Sequence, residues 1–229
     1  LCIMPHWRDC VLYIRRLSDP PYIFIWWYAL SLKKILYFCV LTYERFMADD
    51  LLIYRMVHVS NLEFIFRNGM WSKNSGVIDP DFVPIGNSDV IKKRIEYNIK
   101  VAPPGGMLSD YVPFYFAGHS PMLYNIITGY GDVTRYMQKD IAFIVCGVHR
   151  LIDIGAEWCF TDGHAIKAIT KYYNSLDDIG KLDWNAIRST YWNNTETDMD
   201  RQRKKMSEFL VRNHVPVETI RFVVVHNEE

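Results

Sequence analysis

From residue 47 onward the apolar positions follow two different periods in turn. "LLIYRMVHV" (51–59) predicts a strand, and "SNLEFIFRNG" (60–69) predicts a helix with Ser60 as N-cap and Gly69 as stop. Residues 72–90 are rich in Gly, Pro, Asn and Asp and show no apolar period, so they predict a long loop. Loops of that length inside compact domains are usually functional. "VPFYF" (112–116), "IAFIVCGV" (141–148) and "TIRFVVVH" (219–226) predict further strands. "HAIKAITKYYNSLDDI" (164–179) has helical spacing, and 183–200 is polar and turn-rich. The alternation is that of an α+β domain over residues 47–229.

One stretch resists this reading. In "DMDRQRKKMSEFLVRN" (198–213) a single carboxylate, Glu208, stands between a basic run and Phe-Leu-Val. A helix over 200–212 would put Met206, Phe209 and Leu210 on one face and pair Glu208 with Lys204 and Arg212 in solvent. On periodicity alone that solvated face is the simpler reading.

Residues 1–46 differ from the rest. Their apolar run, "PYIFIWWYALSLKKILYFCVLTY", carries Lys33 and Lys34 at its centre, and the uncharged stretches on either side are too short to span a bilayer. No small-residue cleavage site follows. The segment is read as an extension upstream of the natural start or a lineage-specific appendage, without stable membrane insertion.

Charge narrows the function classes. With 26 basic and 26 acidic side chains the chain has no electrostatic footprint of a general nucleic-acid binder, so any polynucleotide contact must be a local groove. Fifteen tyrosines and seven tryptophans allow stacking platforms. The five cysteines form no CxxC and have no histidine at ligand spacing, which predicts reduced thiols in a cytoplasmic protein and no metal site.

Four features then line up in order: "HVS" (58–60); "KKRIEYNIKV" (92–101), which carries Arg94; "SDYVPFYF" (109–116) with "SPMLY" (120–124); and "TDGHA" (161–165) followed by "RQRKKMSEFLV" (201–211). This ordered set, spread over roughly residues 52–227, resembles the DarT family, DNA ADP-ribosyltransferase toxins of bacterial toxin–antitoxin systems. The resemblance implies an ADP-ribosyltransferase-like core of mixed, mainly antiparallel sheets with flanking helices. It also implies transfer of ADP-ribose from NAD to a base, thymine or guanine, in single-stranded DNA, with a macrodomain antitoxin as partner.

The same resemblance distributes roles. Glu208 is the catalytic glutamate at the mouth of a strand, with Arg94 at the reaction centre. His58, Val59, Ser60, Gly69 and Arg94 bind NAD, while Tyr111, His164, Arg201 and Arg203 face the DNA, the last two in a basic run turned toward it. A carboxylate suits this chemistry, because cleaving the nicotinamide–ribose bond passes through an oxocarbenium-like state. The chain departs from the family pattern at "AGHS" (117–120), where Asn-Pro-Arg is common, and in the extra basic residues before Glu208. The alternatives left open are an NAD glycohydrolase and an inactive nucleic-acid-binding module.

Overall fold

The computed structural model describes residues 10–13 and 51–226. Its centre is β5 (Ile141–Gly147), a seven-residue strand buried along its whole length. Such a strand needs apolar residues on both faces, which the run Ile-Ala-Phe-Ile-Val-Cys supplies. β5 pairs on one side with β10 (Ile220–His226) and on the other with β2 (Leu52–His58). β10 in turn carries the edge strand β1 (Cys10–Tyr13). Beyond β2 follow β4 (Tyr111–Tyr115), β8 (Glu208–Arg212), β6 (Trp158–Thr161) and β7 (Tyr172–Tyr173). All neighbours in this eight-stranded sheet run antiparallel. A separate ribbon pairs β3 (Met70–Trp71) with β9 (His214–Val215).

The join between the two halves of the large sheet is thin. β2 and β4 share one register pair, Tyr54 opposite Tyr115. Two residues earlier on β4 stands Pro113, which has no N–H to give a neighbouring strand. Its carbonyl accepts instead from Arg55 Nη1 at 2.8 Å. A proline is tolerated here because the ladder to β2 has already ended.

Side chains alternate across β8. Phe209 and Val211 enter the main core cluster with Phe114 and Phe160, while Leu210 belongs to a cluster with Leu108 and Tyr111 on the other face. Glu208 shares the parity of Leu210 and lies opposite Tyr115. The strand thus delivers a carboxylate to the sheet face away from the main core.

The helices are short: α1 (Leu62–Asn68), α2 (Ser88–Glu96), α3 (Pro121–Thr128), α4 (Val148–Asp153), α5 (Trp184–Arg188) and α6 (Arg201–Lys205). Gly69 ends α1 with φ 75°, as its position predicts. Ser60 is not the N-cap. It lies in a 3₁₀ turn that His58 caps, the ring Nδ1 accepting from the Ser60 N–H at 3.2 Å. The basic run forms α6, but the chain is a strand from Glu208, so the solvated helix over 200–212 is not formed.

The helix expected over 164–179 is absent as well. There the Ala165 N–H and the His164 carbonyl are bonded to Glu208 and Thr170, and Tyr172–Tyr173 joins the sheet as β7. These tertiary contacts outweigh a helical apolar spacing. Cys146 and Cys159 are free and buried, and burial pushes the Cys146 thiol up to about 12. No helix among the described residues is long and apolar enough to cross a membrane. The apolar run of 21–43 lies outside the described residues.

Candidate active site

Glu208 opens β8 and is 1% exposed. A buried carboxylate must be paired and hydrogen-bonded. Its Oε2 accepts from Arg94 Nη1 at 2.7 Å. Its Oε1 accepts from the Ala165 N–H at 2.9 Å and lies 3.1 Å from His164 Nδ1. Burial alone would raise the carboxyl's pKa; the Arg94 guanidinium, the His164 ring and the Ala165 N–H outweigh it and hold the group at about 2. The site therefore presents a permanently ionised carboxylate at neutral pH.

Each partner is delivered by a different local device. Asn87 caps α2, its side chain accepting from the Val90 N–H at 3.0 Å. That helix turns Arg94 inward and leaves Lys92 and Lys93 exposed. Arg94 reaches Glu208 with its side chain 14% exposed, and its Nη2 is buried without a hydrogen-bond partner. An orphaned guanidinium N–H beside the carboxylate is a ready donor for a ligand oxygen.

The "TDGHA" turn is bound to the strand mouth from below. Thr161 Oγ1 accepts from the Glu208 N–H at 3.0 Å and donates to the Gly163 carbonyl at 2.7 Å. Gly163 leaves room for Arg203: a Cβ there would collide with the Arg203 guanidinium and stand 2.8 Å from Arg203 Cγ, so the side chain would have to move.

The remaining predicted residues fall into two groups. His58 ends β2 four residues beyond Tyr54, about 13 Å along the strand from the level of Glu208. Its ring packs edge-on against Tyr136 at 5.1 Å. Val59 packs on the main core, Ser60 is exposed, and Gly69 lies against the β3–β9 ribbon, where a Cβ would meet the Val215 carbonyl at 2.5 Å.

The four DNA-facing candidates are held in the fold in different ways. Tyr111 is 3% exposed and gives its hydroxyl to the Gly105 carbonyl, because its side chain belongs to the Leu108–Leu210 cluster. His164 is buried against Glu208 rather than turned outward.

Nor does the basic run as a whole face outward. Arg203 bonds Asp162 at 2.9 Å and Asp200 at 2.7 Å, and Lys204 bonds Asp198 at 3.1 Å. Lys205 is buried and donates to the carbonyls of Ile187 and Ser189 at 2.6 and 2.7 Å. Arg201, 3.6 Å from Asp198, is the more loosely held of the set.

Sequence reasoning missed Arg55, Lys205 and the backbone of Ala165. Ala165 at least lies inside a stretch singled out for other reasons. Arg55 stands in an apolar strand, and burial followed by the nearby Arg94 charge lowers its pKa to about 10. Two arginines near one carboxylate give the site a surplus of positive charge, which suits an anionic ligand. Among the described residues no cluster of three or more His, Cys, Asp or Glu could hold a metal ion.

Comparison with known proteins identifies the family. The sequence model of the family described as "ssDNA thymidine ADP-ribosyltransferase, DarT" matches residues 54–229. A DNA ADP-ribosyl transferase of Escherichia coli O127:H6 is 33% identical over 178 residues, covering 78% of this chain and 81% of that protein. One from Thermus sp. is 32% identical over 179 residues, covering 77% and 81%. Among solved structures, Thermus sp. 2.9 DarT in complex with ADP-ribosylated ssDNA superposes with a TM-score of 0.67 at 31% identity, covering 75% of this chain and 79% of that one. The same protein in complex with NAD+ gives 0.62 at 31% identity, covering 75% and 80%.

Fold and relatives together define an ADP-ribosyltransferase. Within that class, the chain belongs to the DarT family of single-stranded DNA ADP-ribosyltransferases.

Proposed function

We propose that this protein transfers ADP-ribose from NAD to a thymine in single-stranded DNA, with Glu208 and Arg94 as its catalytic residues. The observation that carries the reading is the buried Arg94–Glu208 pair at 2.7 Å, beside an unpartnered Arg94 Nη2. The glycosidic bond between nicotinamide and ribose breaks with its electron pair leaving on nicotinamide. The ribose carbon left behind is electron-poor, and the ionised Glu208 stabilises that charge. A ring nitrogen of the base then bonds to this carbon, and its proton is lost to solvent water. A paired, stacked base hides that nitrogen, so the acceptor is single-stranded.

Arg94, with its free N–H, fits a diphosphate or carbonyl oxygen of NAD. His58, Val59, Ser60 and Gly69 line the approach from β2 and α1. Arg201 is the residue of the basic run best placed to meet DNA. No step calls for a metal. The thymine assignment follows the family description, and the Thermus relative was solved with ADP-ribosylated ssDNA. A cognate macrodomain antitoxin that reverses the mark is the expected partner, and the cytoplasm the expected compartment, since NAD and DNA are both there.

Mass spectrometry of thymine-containing oligonucleotides incubated with protein and NAD tests the reading. The expected product is an oligonucleotide carrying one ADP-ribose, with release of nicotinamide. Free ADP-ribose beside unmodified DNA would make the protein an NAD glycohydrolase. Intact NAD would make it an inactive binding module.

A further inference from the structure

A group of aromatic rings outside the Arg94–Glu208 pair is left unused by this chemistry. Trp192 stands edge-on to His119, ring centroids 5.4 Å apart at 84°, and tilts against Tyr124 at 5.6 Å. Tyr124 in turn meets Tyr130 at 6.3 Å. The group does not belong to the buried core: His119, Tyr124 and Trp192 are half-buried, and Tyr130 is 67% exposed. A half-buried set of rings drawn from two distant segments, with an exposed tyrosine at its edge, leaves aromatic surface open to an occupant.

Two connections tie this group to the catalytic strand. His119 lies four residues beyond Tyr115, the register partner of Glu208. Lys205, three residues before Glu208, holds the Ser189 carbonyl at 2.7 Å, and Ser189 Oγ donates to the Tyr191 carbonyl at 2.7 Å. The segment bearing Trp192 is thus pinned to the helix that leads into Glu208. His119 adds an unpartnered polar atom, its Nε2 being buried without a hydrogen-bond partner. Burial and then the Lys205 charge lower the pKa of that ring, which keeps it neutral near pH 7, with one nitrogen to donate and one to accept.

We infer that Trp192, with His119 and Tyr124 at its edges and Tyr130 beyond, is the stacking site for an unpaired base neighbouring the one that receives ADP-ribose. The inference rests on the proposed function and assigns a specificity-determining role to residues outside the reacting centre. Every nucleobase has a π-face, so stacking holds the strand in place, and the His119 nitrogen adds an edge contact able to discriminate between bases.

The test is a set of single-thymine oligonucleotides in which each neighbouring position in turn is made abasic. With the wild-type protein, one abasic position should raise the KM for DNA about five- to a hundredfold, the span of one base stacked on one ring, and leave the KM for NAD unchanged. Trp192→Ala should produce the same rise on the intact oligonucleotide and no further rise on the abasic one. Trp192→Phe should recover most of it. Should Trp192→Ala fail to fold, the abasic series on the wild-type and Trp192→Phe proteins still decides. Transfer indifferent to every neighbouring base would reduce the rings to packing and remove this site alone. Failure of the wild-type protein to modify any oligonucleotide would remove the proposed function and this site with it.

Discussion

Arg94 and Glu208 are 114 residues apart in the chain and 2.7 Å apart in the fold. One comes from an exposed helix that buries no residue fully, the other from the buried end of a strand. The first prediction follows from what the carboxylate does. Glu208→Gln keeps the shape and one acceptor for the Ala165 N–H but removes the charge. Transfer should fall by about two to three orders of magnitude, while NAD still raises the melting temperature. Transfer at a tenth of the wild-type rate or above would remove Glu208 from the catalytic list.

The same variant carries a pH prediction. The Glu208 carboxyl is held at about 2 against an ordinary 4.5. Its folded pKa is depressed, so its contribution to stability is present above 4.5 and is lost as pH falls through 2. Acid unfolding should therefore narrow the stability gap between wild type and Glu208→Gln across that window. A gap that stays constant from pH 5 to pH 2 would contradict the assigned pairing.

Strands β2, β5 and β10 were legible in the sequence because each is a run of apolar residues bounded by turns, and Gly69 because a helix stop has a chemistry of its own. Helix α2 was not, since Ser88–Glu96 is mostly polar and none of its residues is fully buried. The region 164–179 misled for the opposite reason. Its apolar spacing is real, but Tyr172 gives its hydroxyl to the Ala165 carbonyl and Ala165 gives its N–H to Glu208, contacts that no local pattern encodes. That Arg94 and Glu208 meet at one reaction centre was expected only through the family resemblance. The basic run read as a patch because charge runs usually are solvated, whereas Arg203 and Lys205 have their partners at Asp162, Ile187 and Ser189.

Gly163→Ala should damage the site without touching a reacting group. The added methyl would collide with Arg203, whose Nη1 bonds Asp162 and Thr170. Moving Arg203 loosens the turn that aims His164 and Ala165 at Glu208. A loss of about tenfold or more in transfer is expected, since small misplacements in a site are costly. A fully active Gly163→Ala would show that Arg203 swings away freely.

Lys205→Met should act through the loop it anchors. The ammonium satisfies the Ile187 and Ser189 carbonyls, and methionine leaves both unpaired. A stability loss of about 1–3 kcal/mol is expected by denaturant unfolding, together with a higher KM for DNA. An unchanged midpoint would mean that water replaces the ammonium.

A chain beginning at Met47 should fold and transfer ADP-ribose at the wild-type kcat/KM, since β2 through β10 hold every proposed site residue. It would lose the ladder between β1 and β10, leaving β10 as a bare edge. Exposed edges invite pairing between chains, so size-exclusion chromatography should show more self-association. An insoluble or inert product would place residues 1–46 within the folding unit.

Arg94 gives the sharpest comparison, because it ends a run of three cations. Lys92 and Lys93 are exposed on α2, while Arg94 turns inward to Glu208 and leaves Nη2 unpartnered. Arg94→Ala should cost at least about two orders of magnitude in transfer, the scale of losing one electrostatic stabiliser. It should also move the acid limb of the pH–rate profile. Burial raises the Glu208 pKa and Arg94 is foremost among the groups that offset it, so without Arg94 the carboxyl must rise from about 2 and activity must fail at higher pH. Arg94→Lys keeps the charge but loses the planar fork, so the acid limb should stay nearer its wild-type position while the rate remains low. Lys92→Ala and Lys93→Ala should change only the salt dependence of DNA binding. Measured on one oligonucleotide, equal and mild losses across Lys92, Lys93 and Arg94 would make the run a basic patch, and an unmoved acid limb in Arg94→Ala would separate Arg94 from Glu208.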